Sequence, residues 1–313
     1  MMNNKWKTVC FSLLTAFLLG GCEKPREIPV PESAKAPCSD QTFAGFPKQE
    51  PPMGNTYFVC HQGFALQYSA RLHAPLWVAQ NLKGVNLDEK KVTRDNEKFR
   101  PDGFLPEGLT PETSRFSNTG YDRGHMAPAG DFTENPAAMS RSFYTSNIVP
   151  QNPDNNRGIW VRLEKNVRGW AKQKGEVYVV TGPIFYNNKP YKPRNWISLT
   201  NKKENYVIDE YNDDDLVDPQ TGLKNKELKK LAAQNGIAIP THLYKIVYDP
   251  RAKQGIAFVV PNKSLPPQSL AQYATTIAEV EKLTYIRFFP QLPLEEQAKL
   301  KTQVDARQWL LGI

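Results

Sequence analysis

The run Tyr121-Asp-Arg-Gly-His-Met-Ala-Pro-Ala-Gly-Asp131 constrains this chain more than any other segment. Gly124, Pro128 and Gly130 argue against a helix there. The glycines allow close backbone approach, and the proline removes an amide donor. Such a segment suits an exposed strand end or loop that presents the His125 imidazole beside the Arg123 guanidinium. About thirty residues on comes a second polar cluster, Asn147-Ile-Val-Pro-Gln151, followed by Asn155, Asn156, Arg157 and Glu164. An imidazole base, guanidinium groups, and amide and carboxylate oxygens are what a metal-assisted cut of a phosphodiester needs.

The surroundings read as a mixture of strands and helices. Tyr57–Cys60 and Gly63–Tyr68 look like paired strands, and Leu76–Leu82 like another. Residues 83–120 form a long loop, of a length that is usually functional or an insertion. Pro136–Tyr144 is a short helix candidate. Ile159, Trp160, Leu163, Val167, Trp170 and Ala171 recur at helical spacing, so Arg157–Lys174 reads as a helix that Gly175 stops. Asn156 and Glu164 then lie about 80° apart around the axis, close enough to look toward one side. Glu176–Thr181 is an apolar strand ended by Gly182-Pro183. Tyr206–Ile208 is a weak strand, and Leu243–Tyr248 and Gly255–Val260 are stronger ones. Gln268–Leu283 and Leu294–Leu311 read as helices, and Asp213–Asp215 as a solvated charged insertion.

The N-terminus reads as a targeting segment. Lys5 and Lys7 precede an apolar run, Val9–Leu19, that is too short to span a bilayer. It ends in Leu19-Gly-Gly-Cys22, which resembles a bacterial lipoprotein box and implies cleavage before Cys22 and acylation of its sulfur. Residues 1–21 are then a signal peptide and 22–55 a Pro-rich tether. Residues 56–293 are the folded domain and 294–313 a C-terminal helix. The expected location is an exported, lipid-anchored one at the cell envelope, favouring the outer membrane. Cys10 leaves with the signal and Cys22 carries lipid. Cys38 and Cys60 remain, and a disulfide between them is favoured over two free thiols. The formal charge is +8, or about +6 without Lys5 and Lys7, which suits polyanion binding but is weak support alone. Neither Gly-x-Ser-x-Gly nor His-Glu-x-x-His occurs, which leaves serine hydrolase and zinc protease readings without support.

The chain resembles the DNA/RNA non-specific endonuclease family, the ββα-metal nucleases. The resemblance rests on intact Asp122-Arg-Gly-His125, on Asn147 to Gln151, and on Asn156 with Glu164 eight residues later. Softer matches extend it over roughly residues 56 to 293. It implies an α+β fold: a central, mainly antiparallel sheet flanked by helices, with a ββα-metal finger. It further implies His125 as a general base that must start neutral. Asn156 would be the protein ligand of Mg²⁺, with Mn²⁺ as an alternative. An asparagine there also suits a helix N-cap, and Asn155 is the competing ligand by adjacency. Glu164 would orient water beside the cation. Arg94 would stabilise charge on the phosphate, with Arg100 as its competitor. Arg123 would contact phosphate or support the site, and Asp122 and Asn147 would brace it. The implied activity is hydrolysis of DNA and RNA without sequence choice, leaving 5′-phosphate ends, because backbone contacts carry no base information. The implied partners are both nucleic acids and, through Cys22, a lipid membrane; a homodimer is left open. Two rivals stand beside this reading: a nucleic-acid-binding lipoprotein without catalysis, and a phosphodiesterase for small phosphate esters.

Overall fold

A computed structural model describes residues 36–185, 195–197, 207–209, 236–266, 270–304 and 309. The signal segment, Cys22 and Asp213–Asp215 lie outside the described residues. In chain order the elements are β1 Lys48–Gln49, β2 Thr56–His61, β3 Phe64–Ser69, β4 Ala74–Lys83, β5 Asp122–His125, α1 Pro136–Ser142, β6 Ile148–Gln151 and α2 Val161–Lys174. They continue with β7 Glu176–Ile184, β8 Asn195–Ile197, β9 Val207–Asp209, β10 Ile237–Ile239, β11 His242–Asp249 and β12 Gln254–Pro261. Then come β13 Ala274–Thr275, α3 Ile277–Thr284, β14 Ile286–Arg287 and α4 Leu294–Thr302. Together they make the mixed α+β architecture that the sequence implies.

The centre is a seven-stranded sheet in the order β13-β12-β11-β7-β4-β3-β2, antiparallel at every step. Its middle strands are buried along nearly their whole length, so both faces are covered. Side chains alternate across a strand, and β11 shows the two destinations. Tyr244 and Tyr248 turn one way and meet Phe288 and Phe289 at ring distances of 5.7 and 5.1 Å. Lys245 turns the other way, toward the helix side, 5.0 Å from the Trp160 ring. Beside it in register, Phe258 stacks on Trp170 of α2 at 6.1 Å.

Four readings from the sequence need correction. The tether of 22–55 is too long: Ala36–Gln41 is a 3-10 helix and β1 pairs with β14. Phe43 and Phe46 within that stretch pack on Tyr248 and Phe58, so two half-buried aromatics outweigh the Pro-rich composition. The strand expected to end at Thr181 runs through Gly182 and Pro183 to Ile184, because β11 keeps pairing with it. Partnership with β4 stops at Thr181, so a proline beyond that point breaks no ladder bond on that side. Gln268–Leu283 is not one helix. Ala274–Thr275 pairs with β12, and the helix starts only after Thr276, whose side chain accepts from the Glu279 amide. Leu294–Leu311 also stops early, with extended Gln303 following Thr302. Trp309 returns to α2 and packs edge-on against Trp170 at 5.2 Å.

Cys38 and Cys60 are bridged, with 5.8 Å between their Cα atoms. The bridge fastens the N-terminal segment to β2. Next to it, His61 Nε2 lies 2.9 Å from Asp102 Oδ2, and Ser146 Oγ donates to the same oxygen at 2.5 Å. The 83–120 loop is thereby pinned to the sheet and to the segment leading into β6. Replacing both cysteines by serine should cost about 3 kcal/mol, the scale for closing a loop of this size. The expected readout is a lower thermal midpoint for the double serine variant, matched by wild type after reduction. Equal midpoints would remove the bridge from the account of stability.

Candidate active site

The two polar motifs of the sequence meet as a two-stranded antiparallel ribbon. Asp122 pairs with Gln151, Arg123 with Pro150, Gly124 with Val149 and His125 with Ile148. Gly124 is required by contact: a Cβ there would sit 2.6 Å from Gln151 Cβ. Immediately after β6, Asn152 caps a helical run by accepting from the amides of Asp154 and Asn155. That run is a short α turn, Pro153–Asn155, a π segment, Asn156–Trp160, and then α2. Two strands and a helix therefore carry His125, Asn156 and Glu164 in one unit.

The π segment changes the geometry expected from sequence. A π turn takes one more residue than an α turn, so eight residues here rotate like about seven, which is roughly two full turns. Asn156 and Glu164 are thus brought nearly into line along the helix, rather than about 80° apart. Apolar spacing alone could not reveal this, because Ile159, Trp160 and Leu163 are buried in either geometry.

Asn156 and Asn155 separate cleanly. Asn155 is fully buried; its oxygen accepts from Gln151 Nε2 at 2.8 Å and its nitrogen donates to the Pro261 carbonyl at 2.7 Å. That asparagine is spent on tying helix to sheet. Asn156 donates its Nδ2 to Asp122 Oδ2 at 2.9 Å, which fixes the amide flip and leaves Oδ1 as an oxygen donor. Arg157 holds the same carboxylate through two bonds of 2.8 and 2.6 Å. Partial burial pushes the Asp122 carboxyl up, but these bonds outweigh it and hold it below its usual range. Asp122 therefore acts as a fixed acceptor that aims Asn156.

His125 stands in an aromatic wall. Phe99 lies 5.2 Å from its ring and Phe143 meets it edge-on at 5.0 Å. Nε2 is sealed from solvent without a partner, which leaves Nδ1 as the nitrogen able to meet water. Burial, reinforced by the charge of Arg94, lowers the imidazole to about 3, so it is neutral at physiological pH. Asn147 braces the turn after it, accepting from the Ala127 amide and donating to the Ala127 and Ser142 carbonyls.

Of the two competing arginines, the geometry brings in Arg94. Its charge acts on both His125 and Glu164, and its guanidinium lies 5.6 Å from the Phe143 ring. Arg100 is spent elsewhere, bonded to Ser140 and laid over Tyr144 at 4.4 Å. Arg123 also has a bracing position. It donates to the Thr113 carbonyl and Ser117 Oγ and lies over Phe99, the ring that backs His125.

Sequence reasoning missed a buried charge cluster behind Glu164. Asp131, 5% exposed, accepts from Arg168 Nη1 at 2.8 Å and from Gln80 Nε2 at 2.6 Å. Lys245, 1% exposed, donates to Thr181 Oγ1 at 2.7 Å. Burial raises the Glu164 carboxyl, while Lys245, Arg168 and Arg94 draw it back. The available signals were a lysine inside the apolar strand Leu243–Tyr248 and an arginine one turn after Glu164. His73 and His242 stand apart from this site, bonded to the Gly236 carbonyl and to Thr241 Oγ1.

The donor set fits a hard divalent cation. Among the described residues no group of three or more His, Cys, Asp or Glu side chains could hold a metal. The oxygens on offer are the Asn156 amide and the neighbouring Glu164 carboxylate. That sparse oxygen set matches an ion that keeps water and substrate phosphate as its other ligands.

A ββα unit that presents an imidazole, an amide oxygen and a carboxylate together is the arrangement of the ββα-metal nucleases. The chain belongs to the DNA/RNA non-specific endonuclease family, whose profile matches residues 44–295. It is similar to the mitochondrial nuclease EXOG of Danio rerio, 34% identical over 78% of this chain and 63% of that protein. It is also similar to a nuclease of Nostoc sp., 28% identical over 93% of this chain and 96% of that one. The fold is that of a chain in the crystal structure of the EndoG/EndoGI complex, with a TM-score of 0.61 at 24% identity. That alignment covers 86% of this chain and 96% of the other.

Proposed function

We propose that this protein is a divalent-cation-dependent endonuclease that hydrolyses DNA and RNA without sequence preference. The observation that carries the proposal is the convergence of neutral His125, aimed Asn156 and Glu164 on one ββα unit within a nuclease family. His125 Nδ1 takes the proton of a water whose oxygen attacks phosphorus. The bond from phosphorus to the 3′ oxygen breaks and that oxygen takes a proton from a second water, leaving 5′-phosphate and 3′-hydroxyl ends. Asn156 Oδ1 would hold Mg²⁺, or Mn²⁺ in its place, and the bound cation supplies positive charge to the phosphate and the leaving oxygen. Glu164 orients water beside that position. Arg94, on the exposed loop, is placed to meet the phosphate and share its developing charge.

The partners proposed are DNA and RNA backbones, met through phosphate rather than base edges. Export and anchoring through acylated Cys22 are proposed from residues 1–22, and Cys22→Ser should move the protein from the membrane to the soluble fraction. The same membrane recovery in both forms would remove the anchor.

The function is tested by incubating the purified protein with supercoiled plasmid and with RNA, in Mg²⁺ and in EDTA. Cleavage of both polymers in Mg²⁺ alone is expected. Folded protein that leaves both intact would overturn the enzyme reading and favour binding without cleavage. Cleavage of dinucleotides but not of polymers would redirect it to small phosphodiesters.

A further inference from the structure

We infer that Asp102 is a positioning residue for this reaction: its buried carboxylate, held by His61 and Ser146, locks together the two segments that aim the His125 imidazole. The inference rests on the proposed role of His125.

A catalytic imidazole is ordinarily oriented by a hydrogen bond to the nitrogen that does not react. In His125 that nitrogen, the buried Nε2, has no partner among the described residues. The ring is instead gripped by Phe99 at 5.2 Å and by Phe143, edge-on, at 5.0 Å, and those two rings lie 5.0 Å from each other. Phe99 and Phe143 belong to segments that run side by side. The Arg100 amide donates to the Phe143 carbonyl at 3.2 Å, and the Thr145 amide donates to the Arg100 carbonyl at 2.9 Å. Side chains alternate along such segments, so Arg100 and Tyr144 turn away, guanidinium over ring at 4.4 Å, while the two phenylalanines turn to His125.

Asp102, two residues beyond Arg100, ties these segments to each other and to the sheet. Its Oδ2 accepts from His61 Nε2 of β2 at 2.9 Å and from Ser146 Oγ at 2.5 Å, and its Oδ1 accepts from the Phe104 amide at 2.9 Å. His61, Asp102 and Ser146 are all buried. A carboxylate costs more to bury than a neutral side chain, but hydrogen bonds to it are about twice as strong. Ser146 carries the hold onward. Thr145 before it pairs with Arg100, and Asn147 after it clamps the amide and the carbonyl of Ala127, two residues past His125. One carboxylate therefore fixes both the wall against the imidazole and the backbone that leaves it. A tie that only fastened the loop to the sheet would need His61 but not Ser146.

The test compares wild type, Ser146→Ala, Asp102→Asn and His125→Ala on supercoiled plasmid in Mg²⁺, well below the unfolding temperature of each. Ser146→Ala deletes one buried oxygen and cuts the tie at one bond. It should lower kcat by about tenfold or more, because a small misplacement of a reacting group is costly. KM should change by less than about twofold, since neither Ser146 nor Asp102 touches substrate. The ring itself gives a second readout. With four histidines in the chain, nitrogen chemical shifts of the rings should show a single neutral tautomer for His125 in wild type at neutral pH. In Ser146→Ala those signals should move toward the average of the two tautomers, while those of His73 and His242 stay in place. A lower thermal midpoint beside wild-type kcat and a wild-type His125 signal would make the tie merely structural and overturn the inference.

If Ser146→Ala does not fold, Asp102→Asn keeps the shape of the side chain and turns one acceptor into a donor. Whichever way the amide faces, its nitrogen meets either the Phe104 amide or the donors of His61 and Ser146. The same kcat loss and the same mixing of tautomers are expected, and the absence of both would overturn the inference. The ring signals need no turnover, so the hold on His125 is decided even if wild type cleaves nothing, an outcome that would remove the proposed function instead. Full activity in His125→Ala would remove the role of His125 and the inference with it. An inactive His125→Ala beside fully active Ser146→Ala and Asp102→Asn would reject only Asp102.

Discussion

His125→Ala should abolish cleavage and, at the same time, flatten the acid side of the stability curve. The activity loss should be roughly 10³-fold or more, since the variant removes the base and admits no replacement. The stability effect follows from the position of the ring. Its folded value, about 3, lies below the ordinary 6.5, so between those two values the unfolded chain binds a proton that the folded protein refuses. Stability from this group is therefore fully present above about pH 6.5 and is lost as pH falls toward about 3. The amount is on the order of a few kcal/mol. His73 and His242 are also lowered by burial, so some slope remains in the variant. Asp102 and Asp122 lie below their usual range and add their share only at lower pH. Denaturant midpoints measured from pH 7 to pH 4 should thus show a shallower fall in His125→Ala than in wild type. The cavity left between Phe99 and Phe143 should make the variant less stable at neutral pH. Parallel pH curves would mean that burial of the ring against Phe99 and Phe143 does not hold His125 neutral.

The same geometry explains why part of this site was legible in sequence and part was not. The residues of the ribbon and helix lie within 43 positions, from Asp122 to Glu164, and each keeps its neighbours along the chain. A pattern of that kind survives in one dimension. Lys245 and Asp131 act through contacts across the sheet, so their partners are far away in sequence and no spacing reports them. The π segment was invisible for another reason: it adds a residue to a turn without disturbing which side chains are apolar. The strand through Gly182 and Pro183 shows local rules losing to pairing. Gly182 is demanded because a Cβ would lie 2.6 Å from the Leu76 carbonyl oxygen, and Pro183 is tolerated where pairing with β4 has stopped. Phe43 and Phe46 lost their signal to the prolines around them, although each packs a half-buried ring against the core. The disulfide was expected on the reading that Cys10 belongs to a signal and Cys22 to an anchor, and the structure bridges the remaining pair, Cys38 and Cys60.

Asn156→Asp should inactivate the enzyme, although a carboxylate is the better ligand for a hard cation on charge alone. The amide nitrogen of Asn156 donates to Asp122 Oδ2 at 2.9 Å, and Arg157 fixes that carboxylate from the other side. An aspartate at 156 would place a second carboxylate oxygen where the donor stood. It loses the hydrogen bond and meets a like charge at contact distance, so it must rotate away or take up a proton. Either response withdraws the oxygen that faces the cation. The expected loss is about 10²-fold or more in kcat at neutral pH, similar to Asn156→Ala. The pair should be exchangeable. Asp122→Asn together with Asn156→Asp restores one donor facing one acceptor, now with the charge on the cation side, and should recover at least about tenfold over Asn156→Asp alone. Cleavage rates measured across a range of Mg²⁺ concentrations would separate a lost cation from a misaimed one, because only the former is rescued by more Mg²⁺. Wild-type activity in Asn156→Asp, or no recovery in the exchange, would show that Asp122 does not aim residue 156. The role of the Asp122 bond to Asn156 would then reduce to holding the helix against the ribbon.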